Sequence, residues 1–116
     1  MKVLNSMDST LLSRTQKYNS GIGIKMVIFE VHKPLEPTII EVVEKLSIVE
    51  GVKGLDVTLY ETDRTTEMLK VAVNGERLNY EELVQAIEHL GGVVRSIDRV
   101  IAGETYPKEE IKEKED

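Results

Sequence analysis

The chain has 116 residues, 15 Lys or Arg against 21 Asp or Glu, two His and no Cys or Trp, for a formal net charge of −6. That length admits one domain with a small core, and the missing cysteines exclude disulfides, thiolate nucleophiles and sulfur-ligated metals. Without a Lys/Arg stripe, the acidic balance argues against nucleic acid as a partner.

Charge is unevenly spread: +2 over residues 1–21, −5 over 22–103 and −3 over 104–116. No apolar run approaches the ~20 residues that a membrane-spanning helix needs. Met1–Ser20 lacks the apolar stretch of a signal peptide. The expectation is a cytoplasmic protein without membrane contact.

Residues 1–21 are rich in Ser, Thr and Asn with no sustained period, and read as a flexible extension with a helical turn or two around Ser9–Lys17. Ile24–Val31 is a near-continuous apolar run rich in β-branched residues, which predicts a central strand. His32–Pro37 ends it, with Pro37 suited to the first helical position after Glu36. Ile39, Val42, Val43, Leu46 and Val49 then recur at helical spacing, and Gly51 supplies a stop.

Val52–Thr62 alternates, with Leu55, Val57 and Leu59 on one side and Asp56, Thr58 and Tyr60 on the other. Residues 63–66 form a hairpin loop, after which Leu69, Val71 and Val73 resume the alternation. Asn79 with Glu82 reads as a capping box for a helix using Leu83, Ile87 and Leu90. Gly91-Gly92 closes that helix, Val93–Ile101 is the last strand, and the tail 104–116 is almost wholly charged from Lys108 onward.

Two strand–helix–strand units joined by a hairpin, each with a right-handed crossover, predict an α+β ferredoxin-like βαββαβ sandwich. Its antiparallel four-stranded sheet has the order 4-1-3-2, with two helices on one face. The domain is placed at residues 22–103. If Val27, Phe29 and Val31 point at the helices, then Met26, Ile28, Glu30 and His32 point away from them. Parity adds Thr58, Tyr60 and Ala72, and from the last strand Val94, Ser96, Asp98 and Val100. A half-apolar sheet face with no covering layer reads as a contact surface, so the chain is expected to associate with copies of itself.

The segments HisLysProLeuGluPro at 32–37, GluGlyValLysGly at 50–54, TyrGluThrAsp at 60–63, AsnTyrGluGlu at 79–82 and GlyGlyValValArgSerIleAsp at 91–98, with AlaGly at 102–103, occur in this order. Together they resemble an uncharacterised archaeal family, domain-of-unknown-function family 211, over residues 22–103. The resemblance implies a ferredoxin-like fold and a tendency to ring-like or otherwise symmetric oligomers, and implies no known activity. The chain departs from the family at Glu30, where an aspartate is usual, and at Arg95, where a histidine is usual.

Glu30 and Asp98 should meet on neighbouring strands of the open face with Ser96 beside them. Two carboxylates and a hydroxyl suit a hard cation, Ca²⁺ or Mg²⁺, while pairing of both acids with Lys70 or Arg99 is the plainer reading. A second metal candidate is the trio Glu61, Asp63 and Glu67 at the hairpin, which lacks EF-hand spacing and carries Arg64 in its midst. His32 and His89 lie far apart in sequence and make no metal pair; His89 suits the carbonyls ending its helix and His32 the sheet rim. Ser96 has no histidine placed as a base, so the chain is not expected to be an enzyme.

Other occupants of this fold fare poorly. Only Phe29 is aromatic in the two central strands and it points inward, against RNA stacking; paired cysteines for copper and an arginine-bearing phosphate loop are both missing. The alternative is a regulatory module sensing a small molecule, an amino acid or a nucleotide. Pro34 and Pro37 stiffen the junction where such modules usually carry glycine.

Overall fold

Alternation along the first strand sorts the molecule into two faces. In the computed structural model, which describes residues 23–103, strand β1 (Ile24–Pro34) buries Val27, Phe29, Val31 and Lys33 and leaves the residues between them half-buried. The pleat requires this, since successive side chains leave a strand on opposite sides. Helix α1 (Ile39–Ser47), strands β2 (Val52–Thr62) and β3 (Thr66–Gly75), helix α2 (Tyr80–His89) and strand β4 (Val93–Ala102) complete the order. All strand pairs are antiparallel and the sheet reads β2-β3-β1-β4. This is the α+β ferredoxin-like sandwich with the order 4-1-3-2. The extension 1–21 and the tail 104–116 lie outside the described residues.

Both helices pack on the face carrying Phe29. Val42 and Leu46 of α1 and Leu83 and Ile87 of α2 meet Val27, Phe29, Val31, Leu69, Val71 and Val73 in one buried cluster, each contributing roughly 1.5–3 kcal/mol. Phe29 meets the Tyr80 ring edge-on at 5.9 Å.

The helix ends differ from the sequence expectation in detail. Helix α1 starts after Thr38 rather than at Pro37: the Glu41 N–H donates to Thr38 Oγ1 and the Thr38 N–H donates to Glu41 Oε1 at 2.8 Å, a full capping box. At α2 only the forward half is made, the Glu82 N–H donating to Asn79 Oδ1 at 3.3 Å. Gly91, at φ +86°, turns the chain out of α2 while the Gly92 N–H reaches back to the Ile87 carbonyl at 2.9 Å. Gly51, at φ +91°, serves a close crossing rather than a helix stop, since a side chain there would meet the Glu76 carbonyl.

The parity expectation fails on β4. Extra residues interrupt its pairing with β1 between Val94 and Ser96 and between Ile97 and Arg99. Each bulge inverts the alternation beyond it. Val94 therefore packs on the helix-side core opposite Val31, and Val100 lies opposite Val27, not on the open face. Ser96 keeps its place opposite Glu30.

Lys33 continues the inward parity of Val27, Phe29 and Val31, and its side chain is 1% exposed. Its Nζ donates to the carbonyls of Pro34 at 2.9 Å, Leu35 at 3.3 Å and Pro37 at 2.5 Å, and lies 2.7 Å from Glu67 Oε1. One ammonium thereby ties the β1–α1 connection, which includes the cis Glu36–Pro37 bond, to the start of β3. A buried charge persists only with such a set of partners. Replacing Lys33 with Met keeps the length and removes the charge, stranding Glu67 and three carbonyls. Denaturant unfolding should show a loss of about 2–4 kcal/mol, and a loss below 1 kcal/mol would refute the clamp.

Candidate functional site

The open face is built from the residues that β1 and β3 turn away from the helices. Register sets Glu30 opposite Lys70, Ile28 opposite Ala72 and His32 opposite Met68, while Ser96 faces Glu30 from the other side. The Lys70 ammonium spans the strands, 3.4 Å from Glu30 Oε2 and 2.8 Å from Asp98 Oδ2. Ser96 donates to the other Asp98 oxygen at 2.9 Å. Tyr60, at the bulge where β2 slips against Met68, brings its hydroxyl to the Glu30 carboxylate.

These contacts set the protonation of the group. The hydrogen bond from Lys70, seconded by that from Ser96, holds the Asp98 carboxyl below the usual range. In return Asp98, then Glu30, raises the Lys70 ammonium. Desolvation first, and the Glu30 carboxylate second, raises the Tyr60 phenol. The arrangement is an ion-paired, hydrogen-bonded patch ringed by Ile28, Met68, Ala72 and the Tyr60 ring.

The structure thus brings Glu30, Ser96 and Asp98 together, with Lys70 between the two carboxylates. It does not bring together Glu61, Asp63 and Glu67. Glu67 turns to Lys33 on the helix side, while Glu61 lies level with Met68. Asp63 Oδ1 is taken by the N–H groups of Thr65 at 3.0 Å and Thr66 at 2.9 Å, which close the hairpin and depress its carboxyl. Among the described residues no three or more His, Asp or Glu side chains converge as a metal-holding group. His89 Nδ1 lies 3.1 Å from the Gln85 carbonyl in the last turn of α2, and His32 sits at the sheet end opposite Met68 and Val93.

A family model described as Uncharacterized ArCR, domain-of-unknown-function family 211, matches residues 25–116. The chain belongs to this family. A curated relative, Uncharacterized protein MJ0319 from Methanocaldococcus jannaschii, is 38% identical over 87 residues, covering 75% of this chain and 90% of that protein. Neither the family description nor the relative's name carries an enzymatic term. The family match runs through the charged tail, past Gly103 where the quoted motifs end. No helix among the described residues is long and apolar enough to cross a membrane.

Two residues of this family member escaped the sequence reading. Lys33 was legible from parity alone, as the fourth inward position after Val27, Phe29 and Val31. Met68 follows from its alternation with Lys70 and Ala72.

The pH response follows from the two shifts. Asp98 titrates lower in the folded chain, so its contribution is complete above the ordinary aspartate value of ~3.9 and is lost as pH falls through the depressed one. Lys70 titrates higher, so its contribution is complete below the ordinary ammonium value and is lost as pH rises through the raised one. The melting-temperature gap between the parent and Asp98→Asn should therefore shrink on acidification from about pH 5 to about pH 2.5. A constant gap across that window would contradict the assignment.

Proposed function

We propose that this protein is a self-associating, non-catalytic module whose open sheet face is its subunit contact. The observation that carries the reading is the make-up of that face: apolar Met26, Ile28, Met68, Ala72 and the Tyr60 ring surround a cluster in which Lys70 pairs with both carboxylates and offsets one of their two charges. Burying bare carboxylates would be prohibitive, whereas a hydrogen-bonded cluster enters an interface at much lower cost and sets its register. Both helices occupy the other face, so no described element competes for this one. Ser96 donates its proton to Asp98, whose carboxyl is held below the usual range by Lys70 and is therefore a weak base for activating the hydroxyl, which supports the non-catalytic reading.

A divalent cation fits this reading only as a competitor of Lys70, because Ca²⁺ or Mg²⁺ at Glu30, Asp98 and Ser96 would have to displace the ammonium. Metabolite sensing is the weaker alternative. The connection after β1, where a sensing module would grip its ligand, has three of its carbonyls turned inward to Lys33.

Two measurements test the reading. Ile28→Asp should at least halve the mass found by sedimentation velocity while leaving the far-ultraviolet circular dichroism spectrum unchanged; an unaltered mass, or a parent that is a monomer at high concentration, would overturn it. In calorimetry with Ca²⁺, Lys70→Met should bind about tenfold more tightly than the parent. Equal binding would show that Lys70 does not guard the carboxylates.

A further inference from the structure

Two stretches of chain leave the described fold at one corner. The Gly103 N–H donates to the Gly23 carbonyl at 2.9 Å, so residues 1–22 and 104–116 both join the fold beside the start of β1. Their charges are opposite. Lys2, Arg14 and Lys17 against Asp8 give the first stretch a surplus of positive charge, whereas acids outnumber bases in the second. The family match begins at residue 25, after the first stretch.

The open face that starts at this corner is acidic. Register places Asp56 and Glu61 of β2 on it, opposite Ala72 and Met68, and Arg99 of β4 on it, opposite Ile28. With Glu30, Asp98 and Lys70, the residues that register or ion pairing assigns to this face are four carboxylates against two cations. Ile28 and Met68 lie half-buried among them. Such a face fits a segment that carries both apolar side chains and a surplus of positive charge. The acidic tail is repelled by the same field, so charge selects residues 1–22 over residues 104–116.

Chain length agrees with that choice. Glu30 stands seven residues after Gly23, roughly 23 Å along the strand, with Lys70 and Ser96 opposite it. Lys17 and Arg14 stand six and nine residues before Gly23, so a segment that reverses at Ser20-Gly21 and returns over β1 brackets that level with its two cations. Leu11, Leu12 and Tyr18 of the same stretch supply apolar area for Ile28 and Met68.

We propose that residues 1–22 fold back along β1 and cover the open face of their own chain, with Arg14 and Lys17 offsetting the excess carboxylate charge around Glu30 and Asp98. The covering itself needs no second copy. Its consequence rests on the subunit contact proposed above: a face occupied by its own extension is closed to a neighbour, so residues 1–22 limit association.

The test keeps the full-length chain. Because the sequence has no cysteine, a nitroxide on Ser13→Cys marks a single place. It should more than halve the methyl signals of Ile28 and Met68, and adding Arg14→Glu/Lys17→Glu should restore most of the loss while leaving the core methyl signals where they were. Equal losses with and without the charge reversal overturn the proposal. So do losses that arise only when the label rides on a separate, isotopically silent copy. Sedimentation then separates the docking from the subunit reading. Without the label, Arg14→Glu/Lys17→Glu should associate about tenfold more tightly than the parent, and equal association overturns the limiting role. If both chains stay monomeric while the label still reports docking, the subunit contact fails and the covering stands.

Discussion

The alternation of side chains along β1 is the constraint from which the rest descends. As an inner strand paired on both sides, β1 cannot rotate a single side chain to the other face without losing its register to both neighbours. The apolar positions Val27, Phe29 and Val31 commit one face to the helices, and this commits Ile28, Glu30 and His32 to the other. The core and the charge cluster are thus two consequences of one pleat. With this parity and both described helices on one face, the other sheet face is left to something other than the described elements.

Two lysines on either side of that sheet show how environment decides the role of a charge. Lys33 is enclosed, and the cost of burying an ammonium demands the four oxygens it receives; in exchange it holds an irregular connection in one shape. Lys70 is 45% exposed and bridges two carboxylates that water also reaches, so its pairs stabilise the protomer only weakly. Their value lies in halving the charge of a face that would otherwise resist burial more strongly. The first lysine serves the fold and the second serves the surface.

Bulges supply the remaining logic. The slips in β2 and β4 lie on the two outer strands, where twisting an edge is least costly. One of them delivers Tyr60 to Glu30, and another sets Asp98 against Lys70. Arg95 sits at such a slip and is exposed.

Most of the architecture was legible in the chain because periodicity and punctuation are local properties. The switch from strand to helical spacing after Pro37, the hairpin at 63–66 and the Gly91-Gly92 exit fixed element order, and chirality then left one arrangement of four strands. The face of β1 was legible too, and with it the meeting of Glu30 with Lys70. What depended on pairing partners was not: Val94 and Val100 changed faces because extra residues in β4 are visible only against β1. The trio Glu61, Asp63 and Glu67, close in sequence, was dispersed by the hairpin's own hydrogen bonds and by Lys33. The sequence by itself determined a ferredoxin-like sheet with one face that its two described helices leave free, since hydrophobic spacing and turn chemistry act within a few residues. Only the tertiary structure decided which oxygens surround each ammonium, because that is set by register between strands distant in the chain.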